Sequence, residues 1–158
     1  MRMFIVASLQ VIALSALPLA ASEDKPVLQV TGAVANAPVS FSMTQIQNMP
    51  ATTLTTSTVV TDGVHHFTGV LLRDFLAELE AVGETITATA LNDYIVDIPF
   101  ADFEEFDVIV AYSMDGEALD RADKGPLWIV YPRDAHAELQ DIRYDYRWVW
   151  QLMEIEVK

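Results

Sequence analysis

The 158-residue chain contains no cysteine, six glycines and only nine basic residues against 23 acidic ones. Without cysteine it has no disulfide, no thiolate nucleophile and no thiolate metal ligand. A formal net charge of −14 at pH 7 repels phosphate backbones, so we expect no nucleic-acid partner. Every glycine is isolated, which excludes a glycine-rich phosphate-binding loop.

Long apolar runs are also scarce, and the most prominent one lies near the N-terminus. Arg2 precedes an apolar stretch over 4–19, and small residues at 20–22 follow it. This order is typical of a secretory signal, so we predict a signal peptide at 1–22. An uncleaved anchor is the alternative, although a bilayer span needs about 20 apolar residues. We expect 23–158 to form one exported domain, periplasmic or secreted, without stable membrane insertion after cleavage.

The remaining sequence predicts an α+β domain of mixed and antiparallel sheets with two or three helices. Leu72, Phe75, Leu76 and Leu79 recur at helical spacing and indicate a helix over 69–82, with Gly83 as its C-cap. A second short helix is expected after a Ser or Thr cap near 42–44, and one or two helical turns at 99–106. Strands are predicted at 27–34, 39–42, 52–61, 64–68, 85–91, 94–98, 108–114, 127–131 and 152–157.

Five segments, in order, resemble motifs of one known family. They are Phe67–Leu76 (FTGVLLRDFL), Ala90–Pro99 (ALNDYIVDIP), Ala111–Leu119 (AYSMDGEAL), Lys124–Pro132 (KGPLWIVYP) and Trp148–Glu156 (WVWQLMEIE). Together they resemble the oxidoreductase molybdopterin-binding domain, which has the sulfite-oxidase-type fold. The resemblance implies that fold and, as a cofactor, molybdopterin.

The chain departs from the resemblance at the metal ligand. Family members with redox chemistry hold molybdenum through a cysteine thiolate, and this chain has no cysteine. The stretch where that cysteine would stand reads LTTSTVVT over 54–61. The resemblance therefore supports the fold better than the enzyme activity, and the cofactor stays unassigned.

A pterin or phosphate ligand would need fixed cations and flat aromatic rings. The segment 144–150 (YDYRWVW) offers aromatics as the wall of a heteroaromatic pocket, or alternatively as a core-packing strand. The alternative for the cations is pairing with nearby acids: Arg133 with Asp134, and Arg143 with Asp141 or Asp145. The candidate ligand-binding residues are Lys124, Arg133, Arg143, Tyr144, Arg147 and Trp148.

No catalytic or metal-binding set is predicted. His65 and His66 are adjacent on a predicted strand and point to opposite faces, so they do not easily share one ion. No serine lies in a Gly-x-Ser-x-Gly motif. The acids Asp102, Glu104 and Glu105 are typical of a solvated helix face.

Three functional hypotheses follow. The favoured one is an exported, non-catalytic module that binds a small molecule or a partner protein, such as a membrane sensor or redox protein. The second is a genuine molybdopterin-dependent oxidoreductase that holds its cofactor without a cysteine. The third is an acidic structural partner that acts through its surface alone.

Overall fold

The computed structural model describes residues 24–158, so the predicted signal peptide lies outside the described residues. Ten strands, four short helices and one 3₁₀ turn are described. The helices are α1 (Met43–Gln47), α2 (Leu72–Glu78), α3 (Phe100–Glu105) and α4 (Ile142–Asp145), and the 3₁₀ turn is Ala137–Gln140. The strands are β1 (Pro26–Gly32), β2 (Val39–Ser42), β3 (Thr52–Ser57), β4 (Val64–Leu71), β5 (Thr85–Ala90), β6 (Ile95–Pro99), β7 (Ile109–Met114), β8 (Glu117–Ala118), β9 (Trp128–Val130) and β10 (Leu152–Val157).

The strands form two sheets. The first has the order β2-β1-β10-β5-β6, in which β1 and β10 are parallel and the other neighbours antiparallel. The second has the order β3-β4-β7-β8, all antiparallel, and β9 also pairs with β7. One core cluster includes residues of both sheets and of α1, α2 and α3. The predicted α+β class with mixed and antiparallel sheets is confirmed.

The helix predicted over 69–82 is shorter than the apolar spacing suggested. Residues 69–71 continue β4 and pair with Ala111, Val110 and Ile109 of β7, so α2 begins only at Leu72. A Cβ on Gly69 would lie 2.2 Å from the carbonyl oxygen of Val110, so this strand contact requires glycine. The helix ends at Glu78, and Glu80 has a positive φ of 50°. Gly83 is therefore not its C-cap.

The strand predicted over 52–61 is also too long. It ends at Ser57, and the Thr58 hydroxyl then accepts hydrogen bonds from the backbone N–H groups of Val60 and Thr61. Such a side-chain turn competes with strand pairing. The consequence is a loop that presents Val59 and Val60 at the surface.

Two expectations about charged and aromatic residues need correction. Asp102 belongs to the predicted solvated face of α3 but is only 6% exposed. The segment 144–150 is not a core strand, because α4 and a following loop occupy it. Asp141 begins α4 as its N-cap, with a carboxylate oxygen that accepts from the backbone N–H of Arg143.

No helix among residues 24–158 has the length and apolar character needed to cross a membrane.

Candidate functional site

A cavity of about 210 Å³ opens between three loops. Val59 and Val60 line it from the loop after β3, and Asn92 from the β5–β6 turn. Its other lining residues are Asp145 and four aromatic ones, Tyr94, Tyr146, Trp148 and Trp150. We call residues 142–150, which supply four of these eight, the aromatic segment.

The cavity walls are fixed by contacts made behind them. The Tyr94 hydroxyl donates to the backbone carbonyl of Tyr146 at 2.7 Å, which joins the β5–β6 turn to the aromatic segment. Trp148 packs against Trp128 and Tyr131, with ring centroids 6.3 and 6.0 Å away. Trp150 forms an isolated bridge with Trp128 of β9. The aromatic walls therefore rest on the hydrophobic core.

Beneath the aromatic segment lies a buried polar triad of Asp102, Tyr131 and Arg147. The Asp102 Oδ2 atom accepts from the Tyr131 hydroxyl at 2.7 Å and from Arg147 Nη1 at 2.5 Å. The Arg147 guanidinium also lies over the rings of Tyr144 and Tyr146, at 4.7 and 5.5 Å from their centroids. The triad thus holds the aromatic segment against α3 and the core.

The triad shifts the pKa values of two of its members. Burial, together with the negative charge of Asp102, raises the pKa of the Tyr131 hydroxyl well above its usual value. Burial alone would lower the pKa of Arg147, but hydrogen bonds to the Tyr146 hydroxyl and the Asp102 carboxylate raise it. Tyr131 is therefore a neutral donor and Arg147 a permanent cation at physiological pH.

The structure disperses the six candidate ligand-binding residues. Trp148 alone among them lines the cavity. Tyr144 packs instead on Phe106 and Tyr131, while Arg147 is bound to Asp102.

The other basic candidates lie away from the cavity lining. Lys124 pairs with Asp123 at 2.8 Å. The exposed Arg143 pairs with Asp141 at 2.9 Å, which is one of the two ion pairs predicted for it as the alternative to ligand binding. Arg133 forms none of the ion pairs found among the described residues, and its buried Nε has no hydrogen-bond partner there. Its predicted partner Asp134 accepts instead from the Ser57 backbone and hydroxyl, both at 2.6 Å, and these bonds lower the pKa of Asp134.

The sequence predicted the segment 144–150, with Asp145 and Tyr146, as a pocket wall or a core strand, but it did not identify Tyr94 as a site residue. Asn92 and Tyr94 belong to a strand-turn motif, and only the fold brings this turn to the aromatic segment. The sequence signal that did exist was the density of aromatics at 144–150. The Asp145 Oδ1 and Trp148 Nε1 atoms are buried without a hydrogen-bond partner. The aromatic cavity therefore contains an acceptor and a donor whose hydrogen bonds are not made within the protein.

His65 and His66 are both hydrogen-bonded to other side chains. His65 Nδ1 lies 2.6 Å from Asp115 Oδ2, and His66 Nδ1 lies 2.9 Å from the Thr55 hydroxyl, across the strand pair. Within 24–158, no group of three or more His, Asp or Glu side chains is arranged to hold a metal ion.

A family model described as the oxidoreductase molybdopterin binding domain matches residues 15–139. This chain belongs to that family. No curated protein matches the chain. Among solved structures it is similar to the sulfane dehydrogenase SoxCD from Paracoccus pantotrophus, with a TM-score of 0.63 and 20% sequence identity. The match covers 86% of this chain and 39% of that one, so the chain spans well under half of that protein's length.

The residues at the cavity do not fit the molybdopterin cofactor. The stretch in which the family resemblance would place a metal-binding cysteine contributes Val59 and Val60, which have no metal-ligating atoms. A phosphate-bearing cofactor needs unpaired cations, yet the cavity lining contains no lysine or arginine and has the carboxylate of Asp145 instead. Within this family, the chain therefore combines the fold with a cavity lined by four aromatic residues, two valines, Asn92 and Asp145.

Proposed function

We propose that this chain is an exported, non-catalytic member of its family that binds a small molecule in the aromatic cavity. The observation that carries the proposal is the lining itself: four aromatic side chains and a carboxylate, with valines where a thiolate would be needed. Convergent polar groups in an apolar concavity are the usual mark of a ligand site. A volume of about 210 Å³ is below that of drug-sized pockets, which favours a ligand of few heavy atoms.

Export is the second part of the proposal, and it is supported by the residues 1–22. Expression with the native N-terminus, followed by cell fractionation and intact mass measurement, tests it. We expect a periplasmic product shorter by about those residues. A full-length product in the membrane fraction would instead indicate an uncleaved anchor.

The partner in this proposal is a membrane sensor or redox protein that responds to the ligand. Val59, Val60 and Tyr146 line the cavity while remaining 37%, 38% and 47% exposed, so an occupied cavity would present a changed apolar surface. Photo-crosslinking from position 60 in intact cells, with and without cavity ligand, would identify such a protein.

The cofactor content of the native protein is the first test of the non-catalytic role. Protein purified from its own periplasm would be assayed for molybdenum and, after oxidation, for pterin fluorescence. We expect both to be far below stoichiometric. Near-stoichiometric molybdenum with pterin would overturn the proposal and favour the oxidoreductase hypothesis with a ligand other than cysteine.

Ligand binding at the cavity is tested with a fragment library and two matched tryptophan variants. Val60→Trp fills the cavity mouth, whereas Val64→Trp adds the same ring at a 60% exposed position on β4, outside the lining. Fragments that raise the Tm of the wild type should also stabilise Val64→Trp but not Val60→Trp. Equal stabilisation of both variants would place binding elsewhere.

A further inference from the structure

Asp145 gives the cavity an unbalanced negative charge. It is the lining residue that carries a formal charge at neutral pH, and its carboxylate takes part in none of the ion pairs among the described residues. Its Oδ1 atom is buried without a hydrogen-bond partner. A buried carboxylate oxygen without a donor is destabilising, so the site is completed by a positive or hydrogen-donating group.

The aromatic walls favour the same kind of ligand. The faces of tyrosine and tryptophan rings carry negative electrostatic potential and attract cations, most strongly where water is excluded. The Tyr146 ring already shows that chemistry, because the Arg147 guanidinium lies 5.5 Å from its centroid. Arg147 itself is held by Asp102, and so it leaves Asp145 without a counter-charge.

The charge of the whole chain acts in the same direction. With 23 acidic and nine basic residues, the protein's field attracts cations towards its surface and repels anions. An anionic or phosphorylated ligand would meet that field and the Asp145 carboxylate with no lining cation to compensate.

We infer that the ligand of this cavity is a small organic cation, enclosed by the rings of Tyr94, Tyr146, Trp148 and Trp150 and balanced by Asp145. This inference rests on the proposed function and specifies its ligand class. Four of these five residues lie beyond residue 139, where the family match ends, so family membership does not itself assign them.

Choline and 3,3-dimethyl-1-butanol are a matched pair of probes, because they share shape and hydroxyl group and differ in the charged nitrogen. We expect choline to bind the exported full chain in calorimetric titration about tenfold or more tightly than the neutral alcohol. Asp145→Asn should weaken choline binding by a similar factor and leave the alcohol unaffected. Glu117→Gln removes one charge at an exposed position outside the cavity and should leave both unchanged.

A second pair of variants tests the aromatic contribution independently of Asp145. Tyr94→Phe and Tyr94→Leu both remove the hydroxyl that bonds to Tyr146, but only leucine removes the ring face. Choline binding should fall about threefold or more further in Tyr94→Leu than in Tyr94→Phe. Equal loss in the two variants would argue against cation–π enclosure.

The outcomes separate this inference from the proposed function. Equal binding of both probes, or choline binding that is insensitive to Asp145→Asn, would overturn the cation inference while a ligand-binding cavity stands. Failure of choline to bind, together with neutral fragments that Val60→Trp blocks, would do the same. Stoichiometric molybdenum and pterin would overturn the proposed function itself.

Discussion

The two sheets and the aromatic segment are stabilised by different kinds of interaction. In the sheets, apolar side chains alternate along the strands, as Leu28 and Val30 do on β1, and enter one shared core. In the aromatic segment, a largely buried ion pair and the Arg147 guanidinium over two tyrosine rings hold a short helix and a loop in place. Non-directional burial tolerates many sequences, whereas the segment depends on a few atoms at fixed distances.

This difference suggests how one fold can host several chemistries. The sheets supply a rigid frame, and the cavity walls come from three loops: 58–61, the β5–β6 turn and the aromatic segment. In the proposed function, the two valines and the Asp145 carboxylate of the cavity would select a different ligand without a change in the frame. Variants that affect one region and spare the other would sharpen the comparison.

The largest effect is expected from breaking the buried ion pair. Arg147→Met leaves the Asp102 carboxylate buried with the Tyr131 hydroxyl alone, and should lower the free energy of unfolding by about 3–5 kcal/mol. Urea denaturation measures it. Arg143→Met is the matched control, because Arg143 is 78% exposed in its pair with Asp141 and should lose less than about 1 kcal/mol. Similar losses in both variants would contradict a structural role for the triad.

The next largest effect should come from the sheet frame. Gly69→Ala places a Cβ 2.2 Å from the Val110 carbonyl oxygen and forces β4 and β7 apart, which should destabilise the fold by about 2–3 kcal/mol. Gly63→Ala is the control: it has a positive φ of 80° but nothing within 4 Å of the added Cβ, so only local strain of about 1 kcal/mol is expected. Equal thermal stability of the two variants would show that β4 and β7 can relax.

A smaller effect is expected at the neutral member of the triad. Tyr131→Phe removes one of the two donors to Asp102 Oδ2 but keeps the ring, and should cost about 1–2 kcal/mol. Tyr112→Phe, on β7 and only partly buried, removes a hydroxyl outside the triad and should be nearly neutral. If Tyr131→Phe also weakens ligand binding in the cavity, the triad positions the aromatic segment as well as stabilising it.

Local sequence patterns predicted the sheets well because strand alternation and turn residues are local properties. The Ser or Thr cap predicted for α1, which is Ser42, and the buried start of β7 followed from a few neighbouring residues. The boundaries failed where a long-range contact decided them. At Gly69 the partner strand β7 extends β4 into the predicted helix, although the apolar spacing alone favoured helix.

The candidate site was less predictable because its contacts join residues far apart in sequence. Asp102 is buried because Tyr131 and Arg147, 29 and 45 positions away, satisfy it, while the local sequence suggested a solvated acid. The basic candidates were chosen for their charge, but nearby or distant carboxylates neutralise most of them. The sequence showed that the segment is rich in aromatic residues, but it did not predict the short helix and loop that the segment forms.

The smallest effect concerns a partly exposed pair outside the cavity lining, where pH is the variable. The hydrogen bond that the Asp115 carboxylate accepts from the His65 ring raises the pKa of His65, while the backbone N–H of His66 and the His65 ring lower the pKa of Asp115. The raised pKa of His65 means that its contribution to stability is complete below its unfolded value and is lost as pH rises through the folded pKa. The lowered pKa of Asp115 means that its contribution is present above its unfolded value and is lost as pH falls through the folded pKa.

The pair should therefore stabilise most between about pH 4 and pH 6.5. Comparing the pH dependence of Tm in the wild type and His65→Gln should show a shallow maximum in that window that the variant lacks. An unchanged profile would mean that this partly exposed pair contributes nothing measurable, as many surface ion pairs do.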